Sequence, residues 1–221
     1  MKEVNTDIEL FYSSPKGQAV AQALRLLVND MLGKLGGKRI LLIGSALPVA
    51  ELLPKHTLIY DLNEIKSYER YVLPFSDCSF DYVLILHALE HSGDDHLLLR
   101  EVWRIMEDGG KALLIAANRR GLWAGDETTP FGKGRPYSQR QINTLLKNNF
   151  FTLYQERKAL LLPAFIYGNY IAKREKKLEK ILGFTAGALA VEAEKTMYAP
   201  TPKPISPRVF SKRLVNSKLW G

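Results

Sequence analysis

The run Ile40 to Ile43 is apolar at every position and leads directly into a turn at Gly44. A strand without polar alternation is typical of a parallel sheet, because helices cover both faces of such a sheet. Phe80 to Leu86 and Lys111 to Ala116 are further strand-like runs, each reached through a helical or turn-rich segment. Strands that alternate with helices predict a right-handed, doubly wound, mainly parallel α/β sheet.

The remaining elements follow from periodicity and from breaking residues. Apolar spacing and capping residues predict helices over 18–35, 48–53, 94–107, 138–147 and 165–182, and further strands over 57–60, 150–158 and 188–193. Asp108, Gly109 and Gly110 are expected to end the helix that precedes Lys111. Only eleven residues separate Asp61 from Leu73, so an edge strand at this place is expected to be short or missing.

Charge and proline divide the chain into a domain over residues 1–198 and a tail over 199–221. The chain of 221 residues has a net charge of +8. The tail carries four prolines, no acid, and the cations Lys203, Arg208, Lys212, Arg213 and Lys218. Prolines resist helix and sheet alike, so we expect an extended tail. Its charge would suit nucleic acid, anionic lipid or a protein partner.

Cysteine usage and the N-terminal residues bear on location. Cys78 is the single cysteine, which excludes an internal disulfide and any zinc site built on paired cysteines. The first residues are polar and acidic, unlike a secretion signal, and no apolar run reaches the length of a transmembrane helix. We therefore expect a cytoplasmic protein without a transmembrane segment.

Five stretches together resemble the class I S-adenosylmethionine-dependent methyltransferases, and within them the small type-11-like group. They are Ile40 to Gly44, Leu73 to Asp81, His87 to His91, Leu99 to Ile105 with Gly109 and Gly110, and Gly187 to Lys195. A subgroup also has counterparts of Asn118 to Ala124, Thr129 to Gly132 and Gly134 to Ser138. The likeness covers roughly residues 10–198. It implies a Rossmann-like sheet of the class I type, with edge strand 3 short or missing and an antiparallel strand near the C-terminus.

The resemblance implies S-adenosylmethionine as cofactor and assigns residues to it. These are Gly44, Ser45 and Ala46 in the turn, Asp61 and Leu62 at the ribose, Glu69 near the adenine, and Leu86 with His87 at the methionine end. Pro48 removes an amide donor from the turn, but this cofactor has no pyrophosphate and depends less on a row of loop amides. Otherwise the turn is a packed connection, and Asp61 a helix cap or a solvated acid.

His87 and Tyr137 are the candidate catalytic residues. His87 ends a strand beside the methyl donor and would contact the cofactor, act as a base, or serve structure alone. Tyr137 ends a stretch, Arg119 to Tyr137, that resembles a substrate-side lid. Tyr12, Trp123, Phe131 and Arg135 are expected in loops around the same pocket, with simple packing as the alternative.

A metal site is not expected, although His87 to His91 spells the H-x-x-E-H pattern of some zinc peptidases. That chemistry needs both histidines on one face of a continuous helix and a third ligand. His87 instead ends a strand, and Gly93 interrupts the segment soon afterwards.

The function that these features favour is methyl transfer from S-adenosylmethionine to an unidentified acceptor. The missing catalytic triad does not argue against it, because the cofactor supplies the activation and the protein aligns the reactants. One alternative is a catalytically silent methyltransferase-like scaffold or assembly protein. Another is an RNA-modifying enzyme that its basic tail guides to the nucleic acid.

Overall fold

The computed structural model describes residues 3–61, 72–167 and 175–196. The α-helices in these ranges are α1 (Glu3–Ser13), α2 (Pro15–Met31), α3 (Asp95–Ile105), α4 (Gln139–Asn148) and α5 (Glu175–Leu182). The strands are β1 (Ile40–Gly44), β2 (Leu58–Tyr60), β3 (Phe80–Leu86), β4 (Met106–Ala117), β5 (Phe151–Ala159) and β6 (Ala188–Lys195). Single 3₁₀ turns occupy Ala50–Leu52, Leu89–His91 and Ala164–Ile166.

The strands form one sheet in the order β2-β1-β3-β4-β6-β5. β1 pairs in parallel with β2 and β3, and β3 with β4. β6 runs antiparallel to both β4 and β5. The predicted mainly parallel sheet and its antiparallel strand near the C-terminus are therefore confirmed. β2 ends the sheet among the described residues, and most of the segment predicted to lack edge strand 3 lies outside them.

The apolar strands are the centre of the core. All of β1 is buried, as is nearly all of β3, and the last six residues of β4 are buried too. Full burial of a leucine or isoleucine side chain contributes about 1.5–3 kcal/mol. This continuous burial explains why the strands carry no polar alternation.

The end of α3 differs from the prediction. The helix ends at Ile105 rather than Glu107, and β4 begins immediately at Met106. Phe80 pairs with Met106 and Tyr82 with Lys111, so the intervening residues on β4 form an irregular bulge. Gly109 has a φ of +70° there, a conformation that glycine adopts readily. The glycines thus lie inside the strand and do not separate it from the helix.

Other predicted boundaries also shift. The helix expected over 48–53 is the 3₁₀ turn Ala50–Leu52. Of the helix expected over 165–182, α5 covers residues 175–182. Residues 164–166 form a 3₁₀ turn instead, and residues 168–174 lie outside the described ranges. Ser138 caps α4 as predicted, because its side chain accepts a hydrogen bond from the Gln141 amide.

Helix α1 was not predicted, and it changes the place of Tyr12 from a loop to a helix. α1 meets α2 at Gly17, where an added Cβ would lie 1.8 Å from the Phe11 carbonyl oxygen. Ser14, between the helices, caps α2 by accepting a hydrogen bond from the Gly17 amide at 3.0 Å. This tight corner sets the direction of α1 and carries Tyr12 into the core.

Replacing Gly44 by alanine is expected to destabilise the fold. Gly44 has a φ of +106°, and a Cβ would stand 2.0 Å from the Leu86 carbonyl oxygen. We expect Gly44→Ala to lower the free energy of unfolding by about 2–4 kcal/mol, through backbone strain and overpacking. Urea denaturation measures the loss. Gly36→Ala is the control, since nothing lies within 4 Å of its Cβ position; equal stability of the two variants would contradict the argument.

Candidate cofactor and active site

The carboxyl ends of β2, β1 and β3 lie side by side at one edge of the sheet. Ile43 pairs with Tyr60, so Asp61 follows beside Gly44. Gly44 pairs with Leu86 on its other side. Neighbouring strands are about 4.8 Å apart, and the three predicted cofactor residues Asp61, Gly44 and Leu86 are therefore brought together.

The turn after β1 keeps amide donors available although it contains a single glycine. The Ser45 amide donates to the Leu86 carbonyl oxygen at 3.0 Å, which extends the pairing of β1 with β3. The Ala46 carbonyl accepts the amides of Val49 and Ala50 at 2.9 and 2.8 Å. Within the described residues, the amides of Ala46 and Leu47 have no acceptor.

These groups fit the chemistry of S-adenosylmethionine. The half-buried carboxylate of Asp61 can accept hydrogen bonds from ribose hydroxyls, and the two turn amides can donate to the carboxylate of the methionine moiety. S-adenosylmethionine has no pyrophosphate and would depend less on a row of loop amides, one of which Pro48 removes. Leu62 and Glu69, the other predicted cofactor residues, lie outside the described residues and stay predictions.

His87 directly follows β3 in a left-handed backbone conformation, with a φ of +58°. Its ring is buried, and Nε2 shares a hydrogen bond of 2.7 Å with the Tyr12 hydroxyl. Burial, and secondarily the charge of His91, lower the pKa of His87 to about 3. The ring is therefore neutral at physiological pH and is a weak base.

Glu90 is a buried acid at the same edge, and the sequence patterns did not single it out as a site residue. Its Oε1 accepts the Ala117 amide at 2.5 Å, whereas Oε2 is buried without a partner among the described residues. Burial raises the pKa of Glu90 to about 7. In the sequence, the sign of a buried acid is that Glu90 directly follows the apolar residues Ala88 and Leu89 and precedes helix α3.

The Tyr137 hydroxyl has partners of its own. It donates to Asp95 Oδ2 at 2.9 Å and lies 3.4 Å from the Leu89 carbonyl oxygen. Burial raises the pKa of this phenol, and the Asp95 carboxylate adds to the effect. Tyr137 thus braces the first turn of α3, and its catalytic role stays a prediction.

The loop over residues 118–137 packs across this edge. Trp123 and Phe131 are buried, and their ring centroids are 5.7 Å apart. Phe131 in turn meets the His87 ring at 5.0 Å. Tyr12 and Phe131 therefore contact His87, and Trp123 packs against Phe131. Arg135 lies apart from this ring cluster, with Nη2 donating to the Ser92 carbonyl at 2.7 Å.

The zinc pattern has no helical support. Leu89–His91 forms a 3₁₀ turn, so His87 and His91 do not share a face of an α-helix. Among the described residues, no group of three or more histidine, cysteine, aspartate or glutamate side chains is placed to hold a metal ion.

None of the described helices combines the length and the apolar character that crossing a membrane requires.

Comparison with known proteins identifies the fold. Residues 56–114 match the family model for a methyltransferase domain, a segment that includes β2, β3 and most of β4. No curated protein matches the chain. Similar solved structures include an S-adenosylmethionine-dependent methyltransferase of Thermotoga maritima, described as a possible histamine N-methyltransferase. It is 15% identical, with 87% of this chain and 96% of that chain covered and a TM-score of 0.60.

Two further structures share the fold. An S-adenosylmethionine-dependent methyltransferase of Aquifex aeolicus is 12% identical over 86% of this chain and 97% of that chain, with a TM-score of 0.55. The [4+2]-cyclase SpnF is 18% identical over 79% of this chain and 80% of that chain, with a TM-score of 0.52. Residues 56–114 thus match a methyltransferase domain, and the described fold is the one that these three solved structures share.

Proposed function

We propose that this protein binds S-adenosylmethionine across the carboxyl ends of β2, β1 and β3 and transfers its methyl group to an acceptor beside His87. The observation that carries the proposal is the alignment of Asp61, the two available turn amides and His87 on three adjacent strands. In this proposal Asp61 binds the ribose, the turn amides bind the methionine carboxylate, and His87 lies at the methyl-bearing end of the cofactor.

Bound S-adenosylmethionine supplies an electrophilic methyl group on a positively charged sulfonium. The chain's own contribution is to orient both reactants and to exclude water. Asp61 and the turn amides hold the two ends of the cofactor, while Tyr12 and Phe131 enclose His87. Because burial keeps His87 neutral, the ring does not repel the sulfonium.

Glu90 is a described side chain at this edge with a pKa near neutrality. An acceptor that is methylated on an N–H or O–H group releases a proton. The low pKa of His87 and the raised pKa of Tyr12 make both poor proton acceptors near neutrality. The pKa of Glu90, about 7, suits that task better.

Asp61→Ala is expected to weaken the binding of S-adenosylmethionine. Loss of the hydrogen bonds to the ribose removes about 1–3 kcal/mol of binding free energy. Isothermal titration calorimetry with the cofactor and with its demethylated product measures the change. Glu51→Gln is the control, because Glu51 is exposed on the 3₁₀ turn after the same loop and pairs with Arg25.

Two results would count against the proposal. Unchanged affinity of Asp61→Ala would remove Asp61 from the site. If the folded wild-type protein bound neither compound at millimolar concentration, a catalytically silent scaffold would account for the fold better than an enzyme.

Glu90→Gln is expected to change how stability depends on pH. In the unfolded chain a glutamate ionises near pH 4.5, whereas folded Glu90 keeps its proton to about pH 7. As pH rises through this window, ionisation of this carboxyl favours the unfolded state, so Glu90 contributes a loss of about 3 kcal/mol of stability. Buried, neutral His87 contributes in the opposite direction below about pH 6.5. Glutamine cannot ionise, so the loss from Glu90 should disappear in the variant.

Urea denaturation between pH 5 and pH 8 tests the change, at roughly one-unit steps. Glu51→Gln, which replaces an exposed acid, should keep the pH dependence of the wild type. A Glu90→Gln protein with the same pH dependence as the wild type would show that Glu90 is ionised in the folded state.

A further inference from the structure

A second cavity, of about 490 Å³, lies beside strands β4, β6 and β5, away from the strands that carry the candidate cofactor site. Its lining comes from the end of β4, the start of α4, the end of β5 and the start of β6. The residues that matter are Arg120, Arg140, Lys158 and Phe184. Because the carboxyl ends of β4 and β5 point the same way as those of β1 and β3, this cavity and the cofactor site share one edge.

The cavity is cationic. Arg120, Arg140 and Lys158 are the charged residues of its lining, and no acid stands among the described lining residues. Within the described part of the chain, these three side chains form no ion pair. Glu179 lies close by, but its oxygens accept Arg157 Nε at 2.8 Å and the Lys158 amide at 2.7 Å. The positive charge is thus left for an external anion.

Large apolar side chains lie exposed on the segments around the cavity. We call them the apolar rim: Leu122, Phe165, Ile166, Ile181 and Phe184. Phe165 is 83% exposed, and Ile181 and Phe184 are each 73% exposed. Apolar side chains grouped at a surface mark an interaction site more often than single ones do.

Hydrogen bonds hold the segments of the rim together. The Leu122 amide donates to the Thr185 carbonyl at 3.0 Å, and Thr185 Oγ1 donates to the Leu161 carbonyl at 2.5 Å. Trp123 Nε1 reaches the Leu162 carbonyl at 2.7 Å. The three segments that carry the rim residues therefore form one surface, and Phe184 joins it to the cavity.

A cationic cavity beside an apolar rim is suited to a ligand that is both anionic and apolar. Single-stranded nucleic acid would use the cations and the phenylalanines, but isoleucine and leucine offer it no stacking face. A lipid surface uses all of them, since aliphatic and aromatic side chains enter the headgroup boundary while cations meet phosphate. Helix α5 repeats the pattern, with exposed Lys177 and Lys180 beside Ile181.

We propose that the cationic cavity and the apolar rim dock this protein on a membrane that contains anionic phospholipid. A lipid phosphate enters the cavity, and the rim side chains insert at the boundary between headgroups and acyl chains. Docking in this way turns the carboxyl edge of the sheet toward the bilayer. The proposal is independent of methyl transfer, because it uses none of the groups assigned to the cofactor.

Co-sedimentation of the full chain with vesicles tests the docking. We expect binding to vesicles of phosphatidylcholine mixed with phosphatidylglycerol and little binding to phosphatidylcholine alone. Arg140→Glu with Lys158→Glu should weaken binding by about tenfold or more, and Phe165→Ser with Phe184→Ser should do the same. Thermal melting of each variant establishes that it is folded.

Matched controls separate this surface from general attraction. Lys34→Glu with Lys55→Glu reverses two exposed charges near the amino ends of β1 and β2, at the opposite edge of the sheet. Leu10→Ser with Leu97→Ser removes exposed leucines from α1 and α3. Both control pairs keep the basic residues 199–221 and should bind vesicles like the wild type.

Four results would overturn the proposal. Vesicle binding could be absent from the wild type or undiminished in both test pairs. The charge controls could lose as much affinity as Arg140→Glu with Lys158→Glu, which would indicate attraction without a site. The same cavity pair could abolish binding to single-stranded RNA and leave vesicle binding intact, which would assign the cavity to nucleic acid. Cofactor titration of the same proteins reports separately on methyl-donor binding.

Discussion

The close contact of β1 with β3 at Gly44 and Leu86 is the constraint on which the candidate site depends. The Leu86 carbonyl accepts the Ser45 amide and leaves no space for a side chain on Gly44. This contact fixes the direction in which the turn leaves the sheet. The direction of the turn in turn determines where the two available turn amides lie. Asp61 lies on one side of them and His87 on the other. One glycine suffices here, because the close approach occurs at one position.

Burial determines the charge at this edge more than ion pairing does. It keeps His87 neutral and raises the pKa of Glu90 to about 7. Ion pairs lie farther out, as at Arg39 with Asp81 and Arg104 with Asp77, where they connect elements near the opposite edge. The region that would face a cationic cofactor is thus largely uncharged, apart from the carboxylate of Asp61 and the titrating Glu90.

Much of the fold could be predicted, because buried parallel strands leave a strong pattern. The continuous apolar run of β3 gave its limits without error, and Ser138 marked the start of α4. Helix α1 was not predicted, because its position depends on the contact at Gly17, which the apolar periodicity of the sequence does not reveal. The bulge in β4 was missed since paired glycines end helices and also permit irregular strands.

The site was less predictable than the fold. Gly44, Asp61 and Leu86 meet because strand order places them together, and that order came from the resemblance. Glu90 and the Tyr12–His87 pair depend on burial and on contacts distant in sequence, which no local spacing reveals. The cationic cavity is formed from the ends of four elements that are separated along the chain.

The hydrogen bond between Tyr12 and His87 joins residues 75 positions apart. It has a consequence for the order in which the molecule assembles. α1 is synthesised before β3, so the hydroxyl of its inward-facing Tyr12 lacks this partner until β3 has entered the sheet. Contacts of such long separation form slowly compared with local ones. The wall of the site is therefore completed late in folding, by the part of the described chain that left the ribosome earliest.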